Sequence, residues 1–279
     1  MYALIPHILI KGVNMMQTPS ILTPIPVFAA NMFAHAVGAR IGSDVASVGI
    51  VFHQAWPDVE YYPSAGTSTT FLNPSLINKR GACAFTVKGE TNGGDYAGSG
   101  QSVEGMSYQP GATTTVELSL LLHFPDGFSL DDLKDQMRSA RIGGGRVMSY
   151  GFIQSFENDI SHAIDKLPAG YWLAEASDVV AKRLALGESM TEALLTRVKA
   201  SEGIESGWYV PVTLGYATIT DFEQREGSRD GLPHAFAEPV VGLTRLLSSG
   251  GIKRSKIAPK LWRRRWIDDG NFSVFNIYQ

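Results

Sequence analysis

The sequence predicts an α+β fold, and three observations carry the prediction. An apolar strand, a helix and a second strand succeed one another between Tyr2 and His53, and the same succession recurs between Thr113 and Ser155. The composition, 44% hydrophobic and 18% charged over 279 residues, is enough for one sizeable core with an elaboration or a second small domain.

The first strand is YALIPHILI, Tyr2 to Ile10, rich in β-branched residues, with Pro6 as the one objection because proline cannot donate to a ladder. Pro24 and Pro26 precede VFAANMFAHAVGAR, whose apolar residues fill most of a helical circumference and predict a helix buried on a sheet; His35 within it reads as a satisfied core residue. ASVGIVFH, Ala46 to His53, is the second strand. TTTVELSLLLHF, Thr113 to Phe124, is the strongest strand in the chain. Ser129 with Asp132 three positions on approximates a capping box and starts the helix LDDLKDQMRSA. Arg141-Ile-Gly-Gly-Gly-Arg146 then turns the chain into a fourth strand, Val147 to Ser155. Two split βαβ units in this order describe a ferredoxin-like sheet, the fold of RNA-recognition modules.

Between the second and third strands, from about Gln54 to Ala112, lies a stretch rich in Gly, Ser, Asn, Thr and Pro. An insertion that long in a compact domain is usually functional. Ala82 to Lys88 reads as one arm of a hairpin within it, and Glu90 to Gly111 as its projecting tip. Beyond Phe156 the chain changes character, with a helix at about Thr191 to Ala200, aromatic strands at 207–219 and 234–243, and a basic tail. The expected organisation is residues 1–155 as an RNA-recognition-like domain with the insertion at about 54–112, and residues 156–279 as an appended C-terminal lobe.

Net charge is −3, but its distribution is uneven. Residues 251–267 hold Lys253, Arg254, Lys256, Lys260, Arg263, Arg264 and Arg265 with no acid, and the first acidic residue of the chain is Asp44. A local positive surface attracts phosphate even on a slightly negative molecule. The single cysteine, Cys83, excludes an internal disulfide and a C-x-x-C metal site, and a reducing cytoplasm fits best. The uncharged stretch 12–39 is no membrane span: three prolines break it, and Val27 to Ala39 is too short for the roughly 20 residues a crossing needs.

Three glycines between two arginines let backbone N–H groups approach phosphate closely, with each guanidinium adding a bidentate contact. The competing reading is a helix C-cap followed by a permissive turn. A dinucleotide or P-loop site is disfavoured, because this loop leaves a helix and enters a strand, the wrong order for a helix N-terminus. Trp262 and Trp266 interleave with Arg263, Arg264 and Arg265, which suits either a strand anchored in the core by its tryptophans or a stacking surface for nucleic acid. Asn14, Gln17 and Thr18 could read bases or hold a turn. The six histidines show no H-x-x-x-H spacing, so zinc is unsupported. His53 and His123 end strands but have no acid paired with them in sequence, Cys83 reads as a structural thiol, and no catalytic residue, metal or cofactor is expected.

The pieces together resemble a known family. LIPHI at 4–8, Asn14 with Gln-Thr-Pro at 17–19, Phe-Ala-His-Ala at 33–36, Arg-Ile-Gly-Gly-Gly at 141–145, Leu-Pro-Ala-Gly-Tyr at 167–171, Gly-Trp-Tyr-Val-Pro-Val at 207–212 and His-Ala-Phe-Ala-Glu-Pro-Val-Val at 234–241 follow one another. In this order they are similar to the second-subunit family of the type I-F CRISPR surveillance (Csy) complex, Cas-five-type members of the RAMP superfamily. The resemblance implies a RAMP domain with a thumb-like insertion in a non-catalytic, antiviral ribonucleoprotein (Cascade) subunit that holds the 5′ handle of CRISPR RNA. It further implies pairing with the large subunit, contact with the repeated backbone subunit, and contact with target DNA as an option. The residues expected to face RNA are Lys11, Asn14 and Gln17; Arg138, Arg141, Gly143, Gly144, Gly145 and Arg146 around the glycine loop; Arg225, Arg229 and His234; and Lys253, Arg254 and Lys256 of the tail. The rival expectations are a RAMP endoribonuclease acting on precursor CRISPR RNA and a protein-only adaptor.

Overall fold

The computed structural model describes residues 1–18, 21–63, 70–74, 112–157, 159–199, 208–226, 228, 231–255 and 258–275. In the first half these form β1 (Tyr2–Asn14), β2 (Met16–Thr18), β3 (Ile21–Leu22), α1 (Val27–Ile41), β4 (Ser47–Pro57), β5 (Val59–Pro63), β6 (Thr70–Pro74) and β7 (Thr113–His123). Then come α2 (Leu130–Met137), β8 (Arg141–Ile142), β9 (Gly145–Ser149), β10 (Gln154–Phe156), α3 (Ile160–Asp165), β11 (Tyr171–Glu175), α4 (Ser177–Ala185) and α5 (Met190–Lys199). The last elements are β12 (Trp208–Thr218), β13 (Ala237–Ser248), α6 (Ser249–Ser255), β14 (Arg263–Trp266) and β15 (Asn271–Phe275).

One antiparallel sheet organises the molecule. Its middle has the order β4-β7-β1-β9, so the first strand lies between the third and the fourth while the second sits outside the third. The helices α1 and α2 cover one face. Alternate residues of β7, Val116, Leu118, Leu120 and Leu122, share a core with Val27, Ala30, Phe33 and Val37 of α1 and Leu133 and Met137 of α2. At the far end of β7 the opposite face is buried too, where Leu121 joins Leu4, Val51 and Trp172 beneath α3 and α6. Burial on both faces explains why the sequence there is a continuous apolar run instead of an alternation. Helix α1 ends at Gly42, in the left-handed region with its N–H on the Gly38 carbonyl, and Ser129 caps α2 by accepting from the Asp132 N–H at 3.3 Å. His35 is exposed on α1, so the expectation that it lies in the core is corrected: the helix turns a narrower face inward than its composition suggests.

Pro6 does not end β1. The strand bulges there, His7 takes φ +52°, and the register against β7 shifts between Ile5 and Ile8. Across from the bulge the anticipated fourth strand divides into β9 and β10, and the Gly151 N–H crosses the gap to the Pro6 carbonyl at 2.7 Å.

The second half adds its strands to the same sheet. Tyr171 and Trp172 of β11 pair with Phe52 and Val51 of β4, and the order continues β11-β13-β12-β15-β14. The sheet curls until the chain just before β14 meets β4 again. There the Val48 N–H donates to the Trp262 carbonyl at 2.8 Å and the Trp262 N–H to the Val48 carbonyl at 2.7 Å. Leu173, Val212, Leu214, Trp262 and Val274 consequently share the core of α1 and β1, across the boundary expected at residue 155. The backbone of β5 and β6 forms a hairpin where the insertion begins. Cys83, the arm expected at 82–88 and the tip at 90–111 lie outside the described residues. No helix among the described residues is long and apolar enough to cross a membrane.

Candidate nucleic-acid interface

The glycine loop is the turn of a β-hairpin. Arg141 pairs with Arg146 and Ile142 with Gly145, while Gly143 and Gly144 take φ of +57° and +83°, as a two-residue turn of the primed kind requires. The C-cap reading is replaced: α2 closes three residues earlier, at Arg138, in the ordinary helical region. Gly145 serves a different purpose. A Cβ there would stand 2.8 Å from the Val13 nitrogen and 2.9 Å from the Lys11 carbonyl, because β9 lies tight against a second bulge of β1 where Gly12 has φ +80°. The Asn14 N–H donates to the Gly143 carbonyl at 2.9 Å and fastens the turn to the end of β1.

This geometry lines up cations. Lys11 is in register with Arg146, which is in register with Arg141, so three adjacent strands present Lys11, Arg146 and Arg141 side by side. All three are exposed, on the face opposite α1 and α2, since Ile10, Val13, Ile142 and Val147 point into the core. Among the described residues no carboxylate pairs with any of them, and Arg141 donates to the Gly144 carbonyl at 3.2 Å. Directly opposed like charges oppose folding. Arg138 stands beside the hairpin with an exposed ion pair to Asp135 at 3.4 Å. On the other side of β1, Thr115 of β7 faces the Lys11–Gly12 bulge, between pairs Thr114–Val13 and Val116–Ile10, and Trp56 of β4 is in register with Thr115.

The remaining candidates are dispersed. The Asn14 side chain is closed on Met16, donating to its carbonyl and accepting from its N–H, each at 3.0 Å. The Gln17 amide donates to Ile25 and accepts from the Thr213 N–H, tying the first turn to β12. Arg225 and His234 lie in the connection between β12 and β13; Arg225 pairs with Glu223 at 2.5 Å and covers the Phe236 ring at 4.8 Å, and His234 Nδ1 bonds the Leu232 carbonyl at 2.6 Å. Lys253 and Arg254 sit in α6, at the opposite end of β13, roughly 35 Å away along a strand rising about 3.3 Å per residue. Lys253 donates to the Leu167 carbonyl at 2.7 Å. Arg229 and Lys256 lie outside the described residues. In the basic tail Trp262 is fully buried, its indole donating to the Leu173 carbonyl at 2.9 Å, whereas Trp266 is 55% exposed, so only one tryptophan anchors the strand.

Sequence reasoning missed a polar cluster on the same sheet face. The His7 and His53 rings stack at 4.7 Å, His7 Nδ1 meets Glu117 Oε1 at 2.6 Å, and the His7 N–H donates to Ser119 Oγ at 2.8 Å. His53 Nδ1 bonds the Ala169 carbonyl at 2.7 Å and therefore carries the proton, which leaves Nε2 to accept from the Ser119 hydroxyl at 2.7 Å. Burial pushes the His53 pKa down, against the pull of the Ala169 carbonyl. Both its nitrogens are occupied, and Ser119 is only 1% exposed. The only advance signal was that residues separated by a strand's length all fall on outward positions of β1, β4 and β7.

The family model for CRISPR-associated protein (Cas_Csy2) matches residues 125–272, just over half of the chain, including the 141–146 hairpin, the connection bearing Arg225 and His234, and strands β11 to β14. No curated protein matches the chain.

Proposed function

Since the chain belongs to the Csy2 family of CRISPR-associated proteins, and so to the multi-subunit type I-F Csy complex, we propose that it holds the 5′ handle of the CRISPR RNA in that complex and performs no chemistry on it. The observation that carries this reading is the row Lys11, Arg146 and Arg141, three adjacent exposed cations without acidic partners among the described residues. Such a row costs stability, and a polyanionic backbone laid along it offsets the repulsion. The strand order β4-β7-β1-β9 with a helix in each crossover supports a ferredoxin-like RAMP unit, because that order results when two split βαβ units interleave. In this reading the insertion between β4 and β7 serves as the thumb, the large subunit pairs with the chain, and the repeated backbone subunit follows it along the RNA. Target DNA would be met on the basic side chains left over. Absence of chemistry is favoured by His53, whose two nitrogens are engaged, and by the burial of Ser119.

The test is the salt dependence of RNA binding by the assembled complex. Replacing Lys11, Arg141 or Arg146 by Ala should lower the slope of log K against log salt by about 0.7 each, the single-strand value per phosphate; an unchanged slope removes the row from the interface. Precursor RNA incubated with the protein should yield no discrete product. A specific product lost in His53→Ala would establish a nuclease instead, and an assembled complex free of RNA would establish a protein-only adaptor.

A further inference from the structure

We infer that Trp56 is a stacking platform for one unpaired base of the bound RNA, at the end of the cationic row; the inference rests on the RNA-binding reading above and adds a residue to that site. Of the five tryptophans, Trp172 and Trp262 are fully buried, Trp266 packs edge-on to Phe222 and Phe272, and Trp208 begins β12, outside the β4-β7-β1-β9-β8 group that carries the cations. Trp56 alone is both exposed, at 42%, and in the same lateral row as Lys11, Arg146 and Arg141. Only β7 separates β4 from β1, so Trp56 stands about 10 Å from Lys11, two inter-strand spacings. A single strand whose phosphates follow the cations brings a base within reach of the indole by continuing across the strands.

The platform is also held rigidly. Just beyond Trp56, the Asp58 N–H donates to the Thr113 carbonyl at 2.9 Å, and the Thr113 hydroxyl donates to the Asp58 carboxylate at 2.5 Å, fixing the end of β4. Among the described residues near the row, Asp58 is engaged by Thr113 and Glu117 by His7. An aromatic face next to unopposed cations, on a rigid strand, is the combination that takes single-stranded nucleic acid without reading its sequence. A protein partner would favour an apolar neighbourhood, and the row supplies positive charge and a threonine.

The experiment uses the assembled complex and its own CRISPR RNA, with 5-bromouridine in the handle for photo-crosslinking. Trp56→Ala should weaken RNA binding roughly 5- to 150-fold at every salt concentration, without altering the salt slope. Trp56→Phe should bind within a fewfold of wild type, Trp56→Leu as weakly as Ala, and the crosslinked peptide should contain Trp56. Equal binding by the Phe and Leu variants, or Trp56→Ala within twofold of wild type, overturns the platform. If the cation variants shift the slope while Trp56 variants do not weaken binding, only this inference falls; if the cation variants leave the slope unchanged, the reading beneath it falls as well.

Discussion

Arg141 and Arg146 stand directly opposite one another across their hairpin, two guanidinium side chains on one exposed face. Repulsion between directly opposed like charges makes this pair unfavourable for folding by about 0.2–1 kcal/mol. Arg141→Thr should therefore raise the urea midpoint slightly while it weakens RNA binding. A fall in both quantities together would mean that the pair is structural.

Gly144 of the turn and Gly145 at the start of β9 should respond differently to substitution. Gly145→Ala forces a Cβ against the β1 backbone and should cost about 1–3 kcal/mol. Gly144 has a left-handed φ but open space around it, so Gly144→Ala should cost about 1 kcal/mol and Gly144→Asn close to nothing. Chemical denaturation of the three variants gives the ranking.

Acid should destabilise the protein through His53 and His123, both of which burial shifts below the ordinary histidine value. Above about pH 6.5 the ring is neutral in both folded and unfolded chains, and nothing is lost. As pH falls through 6.5 the unfolded chain takes up the proton first, so stability drops until the folded ring protonates as well. The urea midpoint should decline as pH falls through about 6.5, and His53→Gln should flatten part of that decline.

The tryptophans of the basic tail should separate cleanly. Trp262→Ala removes a fully buried ring and leaves the Leu173 carbonyl without its donor, an expected loss of about 3–5 kcal/mol. Trp266→Ala should cost about 1 kcal/mol or less, the worth of its edge contacts with Phe222 and Phe272. Thermal denaturation distinguishes them.

Much of the first half was legible because its signals are local. The periodicity of Thr113 to Phe124, the Ser129 cap and the prolines before Val27 each act within a few residues, and β7, α2 and α1 follow them. What depends on pairing was not legible. The division of the fourth strand at Gly151 answers the bulge at Pro6, more than a hundred residues away in sequence. Trp262 and Trp266 look equivalent in a basic run, and only the bridge to Val48 decides which is buried. The site shows the same contrast. Arg141 and Arg146 announce themselves beside three glycines and Lys11 is among the residues the family resemblance implies, whereas Trp56 joins them only through register, which no single segment encodes. Asn14 and Gln17 have the right chemistry for bases, yet their amides are engaged by Met16, Ile25 and Thr213.

The bond between Arg264 and Asp44 spans 220 residues of sequence, and the adjoining Trp262–Val48 bridge has a similar reach. While the protein is being synthesised, β4 therefore leaves the ribosome long before the segment that seals its flank. Until then the edge of β4 around Val48, beyond the reach of β11, is open, and a nascent chain halted ahead of residue 262 presents it to chaperones or to stray strands. Closure of the curled sheet on β4 is thus timed by the emergence of residues 262–264, more than two hundred positions after the strand they seal.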